Sequence, residues 1–503
     1  MPIGSIRYEA DGVAPEHLIF ALLAFPVAGA IVCLVATRPR QVTAIAVAAA
    51  AIALAIAAQL GTTVLSGRPA TAADGMFVVD AFSGFHLIVL ALVFLICSLF
   101  ASVYFADEGS AHSFSRGAAR RFGALWLGSL AAMILVLVSN NLGIMWVGME
   151  ATTLLTAFLI SFYRDRLSLE AMWKYLLICS VGIAFAFIGT IFTAAAVQGG
   201  GGGGADALLW TRLAAPGMRL DPTLMTFAFM FVLVGYGTKA GLAPLHSWLP
   251  DAHSQAPAPV SAMFSGFLLN TALYCIMRFV PPARNALGGF ADGLLVFFGM
   301  LSILVAAGFI VFQRDAKRFL AYSSVEHLGI IALGYGLGPL GTFAALFHTL
   351  NHSLSKTLAF CAVGRLGQRF GTHDMDTLSG ALRQDRLWGL ALVCSVLSLI
   401  GAAPFAVFMS EYQLLRAAAG AQKWVVLGVF LAAASVVFVS ALRHLIDMAF
   451  GDAKAPVSPL RSRAAGYAVA IPSLAALVLL GLWLPPWLVE AIGRAAAALG
   501  VPA

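Results

Sequence analysis

Residues 235–248 read GYGTKAGLAPLHSW and interrupt an otherwise apolar run extending from 223 to 248. Lys239 stands five residues before Pro244. A proline deep inside an apolar helix removes a backbone hydrogen bond, and the carbonyls it frees must face protein or water. A second interruption lies at 401–415, GAAPFAVFMSEYQLL, where Glu411 follows Pro404 by seven residues. Two broken helices in different halves of a chain, each with an ionisable residue beside the break, form the pattern of a transport site.

The rest of the sequence supplies the membrane that this pattern needs. The 503 residues are 61% hydrophobic and 11% charged, against about 45–50% and about 25% in soluble proteins. The mean hydropathy of +0.92 is spread along the whole length. These values exclude a soluble multidomain enzyme and a disordered chain. The net charge of +7 has no clustered basic face behind it, so no nucleic-acid partner is expected. The fold class expected is an all-α polytopic membrane protein lying in the lipid bilayer.

Apolar runs of about 20 residues, separated by Gly, Pro and charge, mark the spans. Fourteen are found, near 17–36, 42–60, 80–105, 122–139, 141–162, 171–197 and 223–248, then 257–280, 290–312, 317–336, 340–366, 387–415, 424–450 and 465–486. The fourth and fifth are almost continuous across Ser139-Asn140-Asn141. Loops after odd-numbered spans carry seventeen Lys and Arg, from Arg38 and Arg40 to Lys454, Arg461 and Arg463; the opposite side, with both termini, carries eight. That bias puts the first set in the cytoplasm and both termini on the outer, periplasmic side of a bacterial inner membrane. Arg7, Glu9, Asp11 and Glu16 precede the first run and make a poor signal-peptide start, so that run is an uncleaved helix. The glycine tract 199–204 is expected to be a flexible surface loop. The six cysteines lie singly in apolar runs, which predicts buried thiols with no disulfide and no iron–sulfur cluster.

Five cations remain in or beside the spans: Lys174, Lys239, Arg278, Lys356 and Arg443. The acids there are Asp80, Glu150, Glu326, Glu411 and Asp447, and His327, His348 and His352 join them. A charge at mid-bilayer costs at least about 2.5–3.5 kcal/mol, so such groups pair or line a wet path. Arg278, Arg443 and Asp447 lie near helix ends, where snorkelling explains them, and Asp80 reads as an end residue too. In LFHTLNHSLSKTLAF (346–360), His348, His352 and Lys356 recur every four residues and form one polar stripe on an apolar helix. Titratable groups so aligned suit a proton path. Histidines at this spacing can also share a metal, but the sequence shows no third acidic or thiol ligand beside them, so no metal and no cofactor are expected on this chain.

Three stretches carry a family resemblance: NNLGIMWVGMEATTL (140–154), GTKAGLAPLHSWLPDAHSQAPAPVSAMFSG (237–266) and KRFLAYSSVEHLGIIALG (317–334). They resemble the proton-translocating, antiporter-like family shared by respiratory complex I, multi-subunit sodium/proton antiporters and membrane-bound hydrogenases. The resemblance implies fourteen helices with two inverted five-helix repeats, in which helices 7 and 12 are broken. The domains implied are 1–121 (helices 1–3), 122–280 (first repeat), 290–450 (second repeat) and 465–503 (helix 14). Glu150 matches the family's helix-5 glutamate and Lys239 the lysine that pairs with it; Lys174 matches a helix-6 lysine. His348, His352 and Lys356 resemble the stripe linking two half-channels, and Glu411 takes the terminal position. Where complex I members often have His after P-V-S-A, this chain has Ser265, so passage there would need water or Asn270. Y-S-S-V-E-H-L-G, with Glu326 and His327, is similar to the F-type membrane component of hydrogenase-4. The sequence ends soon after the last span, so the long lateral helix of the largest complex I relative is not expected.

The resemblance implies a proton-translocating membrane subunit with no redox site of its own. Its partners would be other membrane subunits of a complex I-like or hydrogenase complex and, indirectly, soluble redox subunits; its ions would be protons, with Na+ as a second candidate. Lys239 would release its proton when its pair with Glu150 opens, and the proton would travel by His327 and the stripe to Glu411. The alternative is a subunit of a multi-subunit Na+ or K+/proton antiporter. An enzymatic reading finds no cluster cysteines, haem ligands or dinucleotide motif, and energised uptake of inorganic carbon belongs to more distant relatives.

Overall fold

The computed structural model describes residues 14–65, 67–108, 114–197, 205–452 and 463–500. Arg7, Glu9, Asp11, the glycine tract 199–204, Lys454 and Arg461 lie outside the described residues. Helices α1 (Pro15–Val35) and α2 (Pro39–Leu65) lead into a hairpin of β1 (Ala70–Ala72) and β2 (Phe77–Val79). Then come α3 (Ala81–Glu108), α4 (Arg116–Val138), α5 (Leu142–Ile160), α6 (Arg166–Ala195) and the single turn α7 (Trp210–Leu213). The middle of the chain forms α8 (Pro222–Ala240), α9 (Trp248–Gln255), α10 (Ala258–Met263), α11 (Leu269–Leu287), α12 (Phe290–Ile310), α13 (Ala316–Tyr335) and α14 (Gly338–Phe370). The remainder is α15 (Ala381–Gln384), α16 (Arg386–Leu399), α17 (Ala406–Gly420), α18 (Trp424–Phe450), α19 (Arg463–Leu482) and α20 (Pro486–Ala497).

The helix starts follow from short polar side chains that satisfy free amides. Asp165 accepts from the Ser168 amide (2.7 Å), Asp315 from Arg318 (2.8 Å) and Asp221 from Leu224 (2.9 Å). Asn141 caps α5 through the Gly143 and Ile144 amides, and this separates α4 from α5 where hydropathy alone shows almost no boundary.

Among the described residues, ten helices are long and apolar enough to cross a membrane, or eleven with the pair Gly466–Leu482 and Pro486–Ala497, bent by 81°. The expected fourteen is therefore not reached on length and apolarity. Two reasons are visible. Helices α13 and α14 carry many polar residues, and α16 stops after fourteen residues at the second break. Those polar helices occupy the centre: α14 contacts α3, α10, α13, α16, α17, α19 and α20. The periphery is apolar and open, with Ile31, Val35, Leu177, Val181 and Val439 exposed as lipid-facing side chains would be. All six cysteines are free thiols, five of them buried.

Both breaks have the same construction. Gly241 (φ 79°) ends α8 and is followed by a cis Ala243–Pro244 bond before α9. Gly401 (φ 67°) follows α16, with a cis Ala403–Pro404 bond before α17. The freed backbone groups find partners: Trp248 Nε1 donates to Thr238 O (2.8 Å), the Ala243 amide to Ser302 Oγ (2.9 Å) and Asn351 Nδ2 to Ala406 O (2.8 Å).

Candidate functional site

The first break places Lys239 in the last turn of α8, fully buried. Its Nζ donates to Thr153 Oγ1 of α5 (2.9 Å) and to the hydroxyl of Tyr175 on α6. Tyr175 also bonds Thr156 Oγ1 (2.6 Å). Glu150 turns elsewhere: it accepts from Ser180 Oγ at 3.0 Å, and its Oε2 is buried with no hydrogen-bond partner among the described residues. No ion pair joins Glu150 to Lys239 among the described residues, so the carboxylate and ammonium expected to pair are apart here. The ammonium sits among neutral hydroxyls.

Lys174 is not brought into this buried group. Its side chain is 46% exposed and pairs with Glu170 (2.8 Å) and Asp251 (3.0 Å). Asp251 also accepts from Arg318, so these residues tie α6, α9 and α13 together at one end of the bundle.

Next along the interior is the position where Ser265 stands. It lies in a single π-helical turn, Phe264–Leu268, between α10 and α11; such turns concentrate at functional sites. Ser265 Oγ and Ser324 Oγ of α13 are 2.7 Å apart. Asn270 reaches Ser353 Oγ at 3.2 Å. Beside Ser324, Ser323 Oγ accepts from Lys356 Nζ (2.5 Å), which also donates to Leu320 O (2.8 Å). The hydroxyls of α13 thus lead from the π turn to the lysine of the stripe. Glu326 lies on the next turn, buried, with Oε2 unpartnered among the described residues, and it interacts with Lys356 through space.

The stripe of α14 is wholly interior: His348, His352 and Lys356 are 1% exposed or less. His327 Nδ1 and His348 Nε2 are 2.9 Å apart, and His348 Nδ1 is 2.9 Å from Ser410 Oγ of α17. The Ser410 proton is given to Val407 O (2.9 Å), so Ser410 accepts from His348, and His348 Nε2 in turn accepts from His327. The His352 ring lies 5.3 Å from that of His327, tilted by 41°, and both its ring nitrogens lack partners among the described residues. Glu411 borders a cavity of about 390 Å3 between α17 and α18, and its carboxylate lies against Gly401. One ligand atom each from His327, His348 and Glu411 lie within 4.8 Å of one another. The packing of α17 on α14 thus brings a carboxylate beside His327 and His348, which the sequence did not show.

A correction concerns Arg278, expected to snorkel from a helix end, whereas Asp80 does stand at the start of α3, where it accepts from the Ser83 amide (2.8 Å). They form a buried two-pronged pair at 2.7 and 2.8 Å. Ser83 (2.6 Å) and the Tyr274 hydroxyl (2.9 Å) take the remaining Arg278 protons, under the Trp210 ring. Snorkelling of Arg278 is not seen because its partner, 198 residues away in sequence, holds it inside.

Sequence reasoning also missed Tyr175, Thr153, Ser180, Ser324 and Ser410, and it passed over His253. That histidine is fully buried, stacks on Phe360 at 4.9 Å, and its two ring nitrogens have no hydrogen-bond partner among the described residues. Its place in the quoted 237–266 motif was the available signal.

Residues 139–437 match the family described as NADH:quinone oxidoreductase/Mrp antiporter, TM. The chain is 38% identical over 420 residues to the hydrogenase-4 component F homolog of Methylacidiphilum infernorum (isolate V4), covering 82% of this chain and 87% of that protein. Among solved structures, a chain of the archaeal membrane-bound sulfane sulfur reductase superposes with a TM-score of 0.84 at 23% identity, covering 96% of this chain and 97% of that one. A chain of the Mrp complex from Dietzia sp. DQ12-45-1b gives 0.83 at 22%, again with 96% and 97% covered. The two likenesses concern the fold.

Proposed function

Because the chain belongs to the NADH:quinone oxidoreductase/Mrp antiporter transmembrane family, we propose that it is a proton-translocating membrane subunit of a complex I-like or hydrogenase-4-type energy-converting complex. The observation that carries this reading is Lys239, a fully buried ammonium at a helix break whose partners are the neutral hydroxyls of Thr153 and Tyr175. An ammonium so placed is held at a cost that a nearby carboxylate relieves. When Glu150 closes on Lys239 the proton is retained; when Glu150 turns to Ser180 the proton leaves. It then passes the Ser265–Ser324 hydroxyl pair to Lys356 and Glu326, crosses His327 and His348, and exits at Glu411. His352 and His253 flank this line. Lys174, exposed and tied to Asp251, acts at its rim. Electron transfer takes place on partner subunits, and this chain carries no redox site.

The membrane arrangement belongs to the same proposal. Helices α13, α14 and the broken pair α16–α17 cross as well, which with α19 makes fourteen spans. Residues 122–280 and 290–450 form two inverted repeats, between an N-terminal part (1–121) and a last helix (465–503). The like-built breaks at Gly241–Pro244 and Gly401–Pro404 support the repeat. Both termini lie outside the bacterial cytoplasmic membrane, and neighbouring membrane subunits flank the chain.

Lys239→Ala in the assembled complex is expected to abolish this subunit's share of protons moved per electron while leaving assembly intact. An unchanged ratio would overturn the assignment. The family's description, which names the Mrp antiporter beside NADH:quinone oxidoreductase, supports a second reading, exchange of Na+ or K+ for protons. Cation-dependent proton flux in vesicles given no electron donor separates the two.

A further inference from the structure

We propose that His327, His348 and Glu411 form a binding site for a divalent transition-metal ion of the Zn2+ class. Two imidazoles and one carboxylate are a donor set that such ions prefer, whereas Na+, Mg2+ and Ca2+ favour all-oxygen shells. Zinc bonds of about 2.0–2.2 Å place the ligand atoms roughly 3.3 Å apart in a tetrahedron. Here the two facing ring nitrogens stand 2.9 Å apart and the whole set falls within 4.8 Å. Modest splaying of the rings and an inward swing of Glu411 close the shell. Glu411 has the room to move, since it borders the cavity of about 390 Å3 between α17 and α18.

Two further observations point to a ligand. His348 is already in the form a metal needs: its Nδ1 proton is held by Ser410, so Nε2 presents a lone pair to the site. A polar partner on the far nitrogen is the usual support of a metal-bound histidine. His327 Nε2 lies buried on the far side of the ring from the site and can carry the ring's proton once Nδ1 binds the ion. The Nδ1 proton leaves to solvent as the ion binds and Nε2 takes one up from solvent, so the ring stays neutral and the proton count is unchanged. A bound ion joins α13, α14 and α17 and occupies the gap a proton would cross. Metal binding here rests on this geometry alone, so it stands or falls apart from the translocation reading.

The test is Co2+ titration of the full chain purified in detergent, read by its visible d–d absorption and by competition with Zn2+. The wild type is expected to bind one Co2+ in a low-symmetry four-coordinate site that Zn2+ empties. Glu411→Gln and His348→Asn should each weaken binding by roughly 100-fold or more, and Ser410→Ala by about 10-fold, while each variant still shows a cooperative melt. His444→Asn, at a separate histidine, should bind as the wild type does. Absence of a saturable band in the wild type would overturn the site, as would a band that survives both Glu411→Gln and His348→Asn. Should one ligand variant misfold, the other together with Ser410→Ala decides.

Discussion

Gly401 adopts a left-handed φ of 67° and touches the carboxylate of Glu411, so no Cβ fits between them. Gly401→Ala therefore carries a backbone cost of about 1–2 kcal/mol and pushes the carboxylate from its place. Lower thermal stability is expected together with reduced proton flux; a variant with normal flux would show that the position of Glu411 does not matter. Arg278 poses a different balance. Removing one member of a buried pair leaves the other uncompensated, at about 3–5 kcal/mol, whereas replacing both with apolar or neutral groups is often close to neutral. Arg278→Met should thus destabilise the chain by about that amount, and Asp80→Asn added to it should recover most of the loss. Melting curves of the two single variants and the double variant measure the cycle. Equal and additive losses would mean that the pair contributes nothing as a pair.

The two broken helices were legible at the level of elements, because Gly and Pro mark them and a lone ion beside each break is costly enough to stand out. The spacing of His348, His352 and Lys356 likewise put all three in the interior. Hydroxyl contacts were not legible. Serines and threonines in these helices routinely bond the carbonyl one turn back, as Thr156 does to Thr152 (2.6 Å) and Thr349 to Ala345 (2.9 Å). Nothing in the sequence distinguishes those from Ser265, whose partner is on another helix. Nor does it show that α17 folds back to bring Glu411 beside His348, which depends on the turn at Gly401 and on packing against α14. The π turn at Phe264–Leu268 was equally hidden, and so was the close packing inside it, where Thr357 and Val93 stand in the place of a Gly266 Cβ. Ser265→Ala removes the 2.7 Å bond to Ser324 at a cost of about 1 kcal/mol. Proton flux should fall more than so small a loss of stability explains, and Ser265→Thr should restore it. Full flux in the alanine variant would show that water alone bridges the halves.

For the whole molecule the quantity at stake is parity. Among the described residues ten or eleven helices qualify as spans by length and apolarity, yet the Lys and Arg distribution is ordered only when α13, α14 and α16–α17 cross too. Polar helices can cross where other helices shield them, and α14 is shielded on nearly every side. Lipid-facing helices must be apolar, central ones need not be, and a hydropathy threshold set for the former misses the latter. Fourteen crossings return the chain to the side on which it began, whereas losing any one of the three reverses every loop downstream. Alkaline phosphatase fused after Ala503 should be active, since that enzyme matures only outside the cytoplasm, while the same fusion after Arg314 should be inactive. Green fluorescent protein at the two sites should give the opposite pattern. Activity at Arg314 would reverse the orientation of the first nine spans. Inactivity at Ala503 with Arg314 still cytoplasmic would mean an even number of crossings between them, and the bend of 81° between Gly466–Leu482 and Pro486–Ala497 is then the place to look for a last helix that enters without crossing.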